Sequence, residues 1–327
     1  MRIICFIMIM LCVGCKTTDM DKVDNSLGHL ITYRQKQVSC YIDGLEHPFK
    51  VMFLADTHFT VEDRRGFEYY DYTKRMGGDA VKPENYGKSN GRELKLIESL
   101  HRAKSDSAEL VVLGGDIINF PSLASVERLE EILEEFGVDW RFVAGNHDWH
   151  YEGEPSTDDD ARSKWEGTNL NRLYQGSHPL YTSVVLHGIN FVLIDNSIFE
   201  ISEEQLKFFK AELEKGLPVV LCVHIPLYLP GHDIDYGCGS PYWNKASDIY
   251  YEIERRLPWP EEGHSATTYE FRNLVFNHPQ VIGVFAGHTH QLAIDFYNNK
   301  LQYVVGANYN GDDVTIHFLP KETGYKD

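Results

Sequence analysis

Five short clusters of carboxylate, imidazole and amide side chains are spread along this chain, each directly after an apolar run. Asp56 and His58 follow Val51–Ala55, and Asp116 follows Leu110–Leu113 through a glycine pair. Asn146, His147 and Asp148 follow Trp140–Ala144 through Gly145, His224 follows Val219–Val223, and His288 and His290 follow Val284–Ala286 through Gly287. Oxygen and nitrogen donors without a thiolate suit borderline divalent ions, and there are more of them than one zinc ion needs. Asp116 is the lone donor of its cluster, which suits a carboxylate shared by two ions about 3.5–4 Å apart. Taken together the clusters read as a two-metal hydrolytic site.

The elements that must position them can be read from the same runs. Short, β-branched apolar stretches are how buried strands of a layered α/β protein look. Strands are expected near 48–55, 109–114, 140–144, 217–223 and 281–286, alternating with helical patterns near 91–106, 124–136, 202–215 and 266–277. Every cluster then falls at the carboxyl end of a strand, where loops present groups over a rigid base. Two hairpins are also expected, 181–187 with 190–195 and 300–306 with 313–319.

The ordered set Asp-x-His, Gly-Asp, Gly-Asn-His-Asp, His and Gly-His-x-His resembles the calcineurin-like metallophosphoesterase superfamily, here in a form similar to its bacterial lipoprotein-type members. The resemblance implies an α/β fold, a four-layer αββα sandwich of two mixed sheets flanked by helices. It also implies that one ion is held by Asp56, His58, Asp116 and His290, and the second by Asp116, Asn146, His224 and His288. His147 corresponds to the family's non-ligand histidine, which stabilises the phosphoryl charge or protonates the leaving oxygen, with Asp148 as its orienting neighbour. The implied reaction is in-line attack on phosphorus by a hydroxide bridging the ions, with no covalent intermediate. Mn, Fe and Zn all suit these donors.

Two dications against two aspartates leave a local charge of about +2. The whole chain is acidic, with formal net charge -18 over 327 residues. That argues against binding the phosphate backbone of nucleic acid and leaves the ions to attract a small phosphorylated substrate. Two long segments leave ligand-bearing strand ends, 60–90 with Arg64 among several tyrosines and 227–265 with Tyr228 and His232. Loops of that length are usually functional, so Arg64, Tyr228 and His232 are candidate substrate contacts, as is His150 beside the third cluster. The alternative is that these aromatics only pack the loops down.

Residues 1–15 carry one arginine and an apolar run too short to span about 30 Å of hydrocarbon, as an export signal does. The ending Gly14-Cys15 resembles a lipobox, although Cys12 stands where leucine is usual. The expectation is a signal at 1–15, a polar tether at 16–28, one catalytic domain at 29–327, and a lipid anchor on Cys15 holding an exported, periplasmic or cell-envelope protein to a membrane. Plain secretory cleavage and an uncleaved anchor are the alternatives. Of the 6 cysteines, Cys40, Cys222 and Cys238 would remain, too few for a disulfide framework. Composition says nothing about oligomeric state.

The leading function is a metal-dependent phosphoesterase for a small phosphodiester, phosphomonoester or nucleotide-like substrate. A protein phosphatase, or a lipid-anchored binding protein without turnover, is the alternative. A purple acid phosphatase is disfavoured because Gly115–Asn119 contains no tyrosine to ligate iron.

Overall fold

Alternation with a period of two decides how the apolar runs fold and what they face. The computed structural model describes residues 22–24, 30–34, 36–61, 91–151, 154, 156, 158–234, 236–244 and 263–321. In chain order the elements are β1 (Lys22–Asp24), β2 (Leu30–Arg34), β3 (Gln37–Ile42), β4 (Phe49–Leu54), α1 (Glu93–Ser105), β5 (Leu110–Leu113), α2 (Leu123–Phe136), β6 (Trp140–Phe142) and α3 (Asp158–Glu166). They continue with β7 (Tyr181–Leu186), β8 (Ile189–Ile194), α4 (Glu203–Glu214), β9 (Val219–Cys222), α5 (Ala266–Asn277), β10 (Val281–Ala286), β11 (Ala293–Tyr297), β12 (Lys300–Val304) and β13 (Val314–Pro320). Short 3-10 turns lie at Asn169–Tyr174 and Asn308–Asn310.

The strands form a seven-stranded sheet, ordered β1-β2-β3-β13-β4-β5-β6, and a six-stranded sheet, ordered β11-β12-β10-β9-β8-β7. Val51 and Phe53 of β4 share a core with Phe191 and Leu193 of β8, Val220 and Cys222 of β9 and Phe285 of β10, which is the layer between the sheets. Met52 and Leu54 turn the other way, onto Leu96 and Leu100 of α1 and Leu129 and Leu133 of α2. Val192, Leu221 and Val284 likewise pack on Phe209 of α4 and Phe271 of α5. Helices therefore cover the outer face of each sheet, giving the four-layer αββα sandwich. The helices are bounded by local chemistry, such as the capping box of Ser202 and Gln205 on α4 and left-handed Gly137 closing α2.

Sheet order puts the clusters together. β4, β5 and β6 are mutually parallel, and so are β8, β9 and β10, so their carboxyl ends emerge on one edge of each sheet. Three ligand-bearing turns come from one sheet and two from the other.

Several expectations need correction. Residues 300–306 and 313–319 are no hairpin: β12 pairs with β10 and β11, whereas β13 crosses to the other sheet and lies between β3 and β4. The hairpin is β11–β12, whose turn residues Asn298 and Asn299 both have positive φ, as a two-residue hairpin turn requires. Part of the stretch expected to be a polar tether pairs as a strand, β1 against β2. Cys40, Cys222 and Cys238 are buried free thiols. No helix among the described residues is long and apolar enough to cross a membrane. Arg64, Cys15, the signal and most of the loop aromatics lie outside the described residues.

Candidate dinuclear metal centre

The ligand turns have unusual backbones. Asp56, His58, Asp116, His288 and His290 all have positive φ, between 48° and 71°, in the left-handed region that L side chains rarely enter. Such residues each cost on the order of 1–3 kcal/mol and persist where the surroundings fix them, commonly at functional sites. Here the fixing groups are visible. Asp56 N–H donates to the Gly115 carbonyl at 3.0 Å and His58 N–H to the Asp116 carbonyl at 2.9 Å, which ties the first two turns together. Glycines allow the close approach. A Cβ on Gly145 would overlap the Asp116 carboxylate, and one on Gly287 would strike Ala55 and Asp56.

Each aspartate has one oxygen tied back and the other turned inward. Asp116 Oδ1 accepts from the His147 amide at 2.8 Å, while its Oδ2 lies 3.7 Å from His58 Nε2 and 3.2 Å from His224 Nε2. Asp56 Oδ2 accepts from the His288 amide at 2.9 Å, while its Oδ1 lies 3.4 Å from His290 Nε2 and 3.8 Å from His58 Nε2. The result is two donor clusters, Asp56-His58-His290 and Asp116-His224-His288, with Asp116 Oδ2 facing both.

Outer partners set the tautomers. His224 Nδ1 donates to the Gly114 carbonyl at 2.9 Å, so the neutral ring presents an unprotonated Nε2 to the Asp116 carboxylate. His58 Nδ1 meets Asn119 Oδ1 at 3.2 Å, which likewise leaves Nε2 bare, 3.0 Å from His290 Nε2. Lone pairs converging on lone pairs at these distances repel unless a proton or a metal ion lies between them. Asp56 Oδ1, Asn146 Oδ1 and His224 Nε2 are buried without a hydrogen bond, as ligand atoms awaiting an ion would be. The residues present therefore fit a pair of divalent ions.

Electrostatics among the protein groups alone express the same strain. Burial opposes a charge on His224, but the Asp116 carboxylate outweighs it and lifts the imidazole to about 10. Burial, reinforced by the neighbouring His147, drives His58 down to about 3. Asp116 is buried too, yet the surrounding imidazoles hold its carboxyl well below the usual range.

Asp148 serves a different end from the one expected. Its fully buried carboxylate accepts from the amides of Asp116 and Gly145, both at 2.7 Å, and of Ile118 at 3.0 Å. It thus fastens the second ligand turn to the third instead of orienting the His147 ring. His147 has a ring nitrogen within 4.8 Å of donor atoms of His58 and Asp116, and its ring centre is 4.7 Å from that of His58. His150 stands behind it, the two ring centres 6.2 Å apart. Two of the other expected contacts have partners of their own. Tyr228 is buried, with Arg272 donating to its carbonyl, and His232 pairs with Asp295 and stacks on Tyr236.

Sequence reasoning missed the supporting polar groups. Asn119 follows Asp116 by three residues and holds His58; Asn308 accepts from Thr57 at 2.9 Å and donates its amide N–H to Ala55. β9 ends at Cys222, and beyond it side-chain amides take up the backbone groups of Ile225 and Leu227. Asn196 bonds both backbone groups of Ile225, and Gln302 bonds both of Leu227. Scattered Asn and Gln have no periodicity, so no pattern reveals them.

Comparison with known proteins bears on the whole arrangement. No curated sequence matches. The fold is similar to that of a dimetal phosphatase from Danio rerio, with TM-score 0.52 at 15% identity, covering 83% of this chain and 93% of that one. It is also similar to a purple acid phosphatase from yellow lupin (Lupinus luteus), with TM-score 0.51 at 12% identity, covering 89% of this chain but only 59% of that one. At these identities the likeness is one of fold. The family profile described as Calcineurin-like phosphoesterase matches residues 49–292, a span holding every ligand turn. The chain belongs to that family, and is a phosphoric ester hydrolase of the kind built on a dinuclear divalent metal centre.

Proposed function

We propose that the chain hydrolyses a small phosphodiester, phosphomonoester or nucleotide-like substrate outside the cytoplasm. In this reading Asp56, His58, Asp116 and His290 hold one ion and Asp116, Asn146, His224 and His288 the other. The observation that carries it is Asp116 Oδ2, which faces both donor clusters while its partner oxygen is committed to the His147 amide. When bound, the ions supply Lewis-acid charge to the phosphoryl oxygens and activate water.

The chain's own residues do the rest. Asp116 and Asp56 remove two units of charge from the pair, leaving a local anion trap in a chain of net charge -18. The His58 and His224 tautomers, fixed by Asn119 and Gly114, carry the proton on Nδ1 and turn the Nε2 lone pair to coordination. His147, whose amide is held on Asp116, is assigned proton donation to the leaving oxygen in this reading. Asp148 keeps the turns in register from below.

Export with lipidation of Cys15 is part of the proposal and is supported by the residues of 1–15. Metal identity among Mn, Fe and Zn is left to the donor set, which accepts all three. The test is hydrolysis of p-nitrophenyl phosphate and bis-p-nitrophenyl phosphate with added Mn, beside Asp116→Asn. Turnover of either ester, lost in the variant, is expected. A metal-loaded chain inactive on every small ester offered, including nucleotides, would overturn the small-substrate reading.

A further inference from the structure

His290 differs from the other candidate ligands in being exposed. Its side chain is 39% accessible, against 4% for His58 and 0% for His224. Burial and the outer partners Asn119 and Gly114 fix those two rings; His290 needs a restraint of its own, because an exposed imidazole at the end of a turn can rotate about its side-chain bonds.

The group in place to do so is Tyr309. Its hydroxyl lies 3.2 Å from His290 Nδ1, the nitrogen facing away from the donor cluster, while Nε2 faces Asp56 and His58. Coordination through Nε2 requires the proton on Nδ1, and the phenol oxygen is then its acceptor. Tyr309 is itself anchored. Its amide donates to the Asp56 carbonyl at 3.2 Å, and the Asn308 amide donates to the Ala55 carbonyl at 2.9 Å, so the phenol rides on the backbone of the first ligand turn. Its ring centre is 5.4 Å from that of His290 and 6.0 Å from that of His58. The Arg92 guanidinium lies 4.7 Å from the ring centre, a cation–π contact that restrains the ring.

We propose that Tyr309 is a positioning residue for one of the two metal ions, acting through Nδ1 of His290 and held in place by Arg92. The inference rests on the two-ion reading above. It assigns no contact with substrate and concerns the Asp56-His58-His290 cluster alone; His224 keeps its own partner in the Gly114 carbonyl.

The experiment is calorimetric titration of the metal-free full chain with Mn2+, comparing wild type with Tyr309→Phe, which removes the hydroxyl and retains the ring on which Arg92 rests. Loss of such an outer partner typically weakens a metal by about 10–100-fold. One of two sites should weaken by that factor while the other stays within about twofold. With Co2+ in place of Mn2+, the visible absorption of the weakened site should shift, a signature that general loosening of the fold would not give. Melting of the metal-free variant alongside wild type checks that the fold is intact. Two unchanged sites, or equal weakening of both, would overturn the proposal. Failure of wild type itself to bind two ions would sink the two-ion reading instead, so the two failures are distinct. Arg92→Ala should weaken the same site, and weakening of the other site alone would count against the role given to Arg92.

Discussion

Asn196→Ala is a demanding perturbation, because the side chain lies far from solvent and its partners are a single residue's backbone. Asn196 Nδ2 donates to the Ile225 carbonyl at 2.6 Å, and the Ile225 amide donates to Asn196 Oδ1 at 3.0 Å. Asn196 is 0% exposed, so truncation leaves one N–H and one C=O buried with no replacement partner. An orphaned buried backbone group costs about 1–3 kcal/mol, so the pair costs about 2–6 kcal/mol, against a total stability on the order of 5–15 kcal/mol. Ile225 directly follows His224, so the damage also loosens a ligand turn. Urea unfolding of the metal-free protein should register the loss, and the ion held by His224 should bind more weakly, with the ion at His58 and His290 little changed. A stability change below about 0.5 kcal/mol, the range of an ordinary surface substitution, would refute the claim that this amide substitutes for strand pairing beyond β9.

Other outcomes follow from single contacts. Gly145→Ala places a methyl group against the Asp116 carboxylate, so metal analysis should show a loss of bound metal, whereas Gly176→Ala, which strains only its own positive-φ turn and meets nothing within 4 Å, should retain it. Glu166 sits buried beside Asp195 and Arg162, and burial, with the Asp195 charge, pushes its carboxyl up to about 9. That lies above its value in the unfolded chain, so the folded state holds a proton the unfolded one releases; the associated stability is complete below about 4.5 and is lost as pH rises through about 9. Glu166→Gln, permanently neutral, should therefore lose less stability than wild type between pH 7 and pH 10 in denaturant melts.

Much of the site was legible because its chemistry is concentrated. Asp56, His58, Asp116, His224, His288 and His290 each follow an apolar run, and those runs fold as β4, β5, β9 and β10 with ends on a common edge. The sorting of Val51 and Phe53 from Met52 and Leu54 into different layers was not legible, because all four are apolar and the run shows no alternation. What was illegible depends on partners distant in sequence. Nothing near β13 shows that it leaves β12 for the other sheet, since both strands are equally apolar and strand pairing is settled by tertiary packing. The resemblance implied an orienting role for Asp148; the strand-end turn instead aims its carboxylate at amides 30 and 32 residues earlier. Asn308 and Tyr309 belong to a 3-10 turn that bonds the first ligand turn from about 250 residues away, beyond any local pattern.

The most direct test is the metal content of purified wild type and Asp116→Asn, measured by mass spectrometry of the bound elements. Wild type should carry two divalent ions per chain and the variant should lose both, or all but one weakly held ion, because Asp116 Oδ2 is the only carboxylate oxygen among the described residues that faces both clusters. A wild-type chain carrying at most one ion after incubation with excess Mn, Fe or Zn, or a variant that retains two, would contradict a site of two ions sharing Asp116.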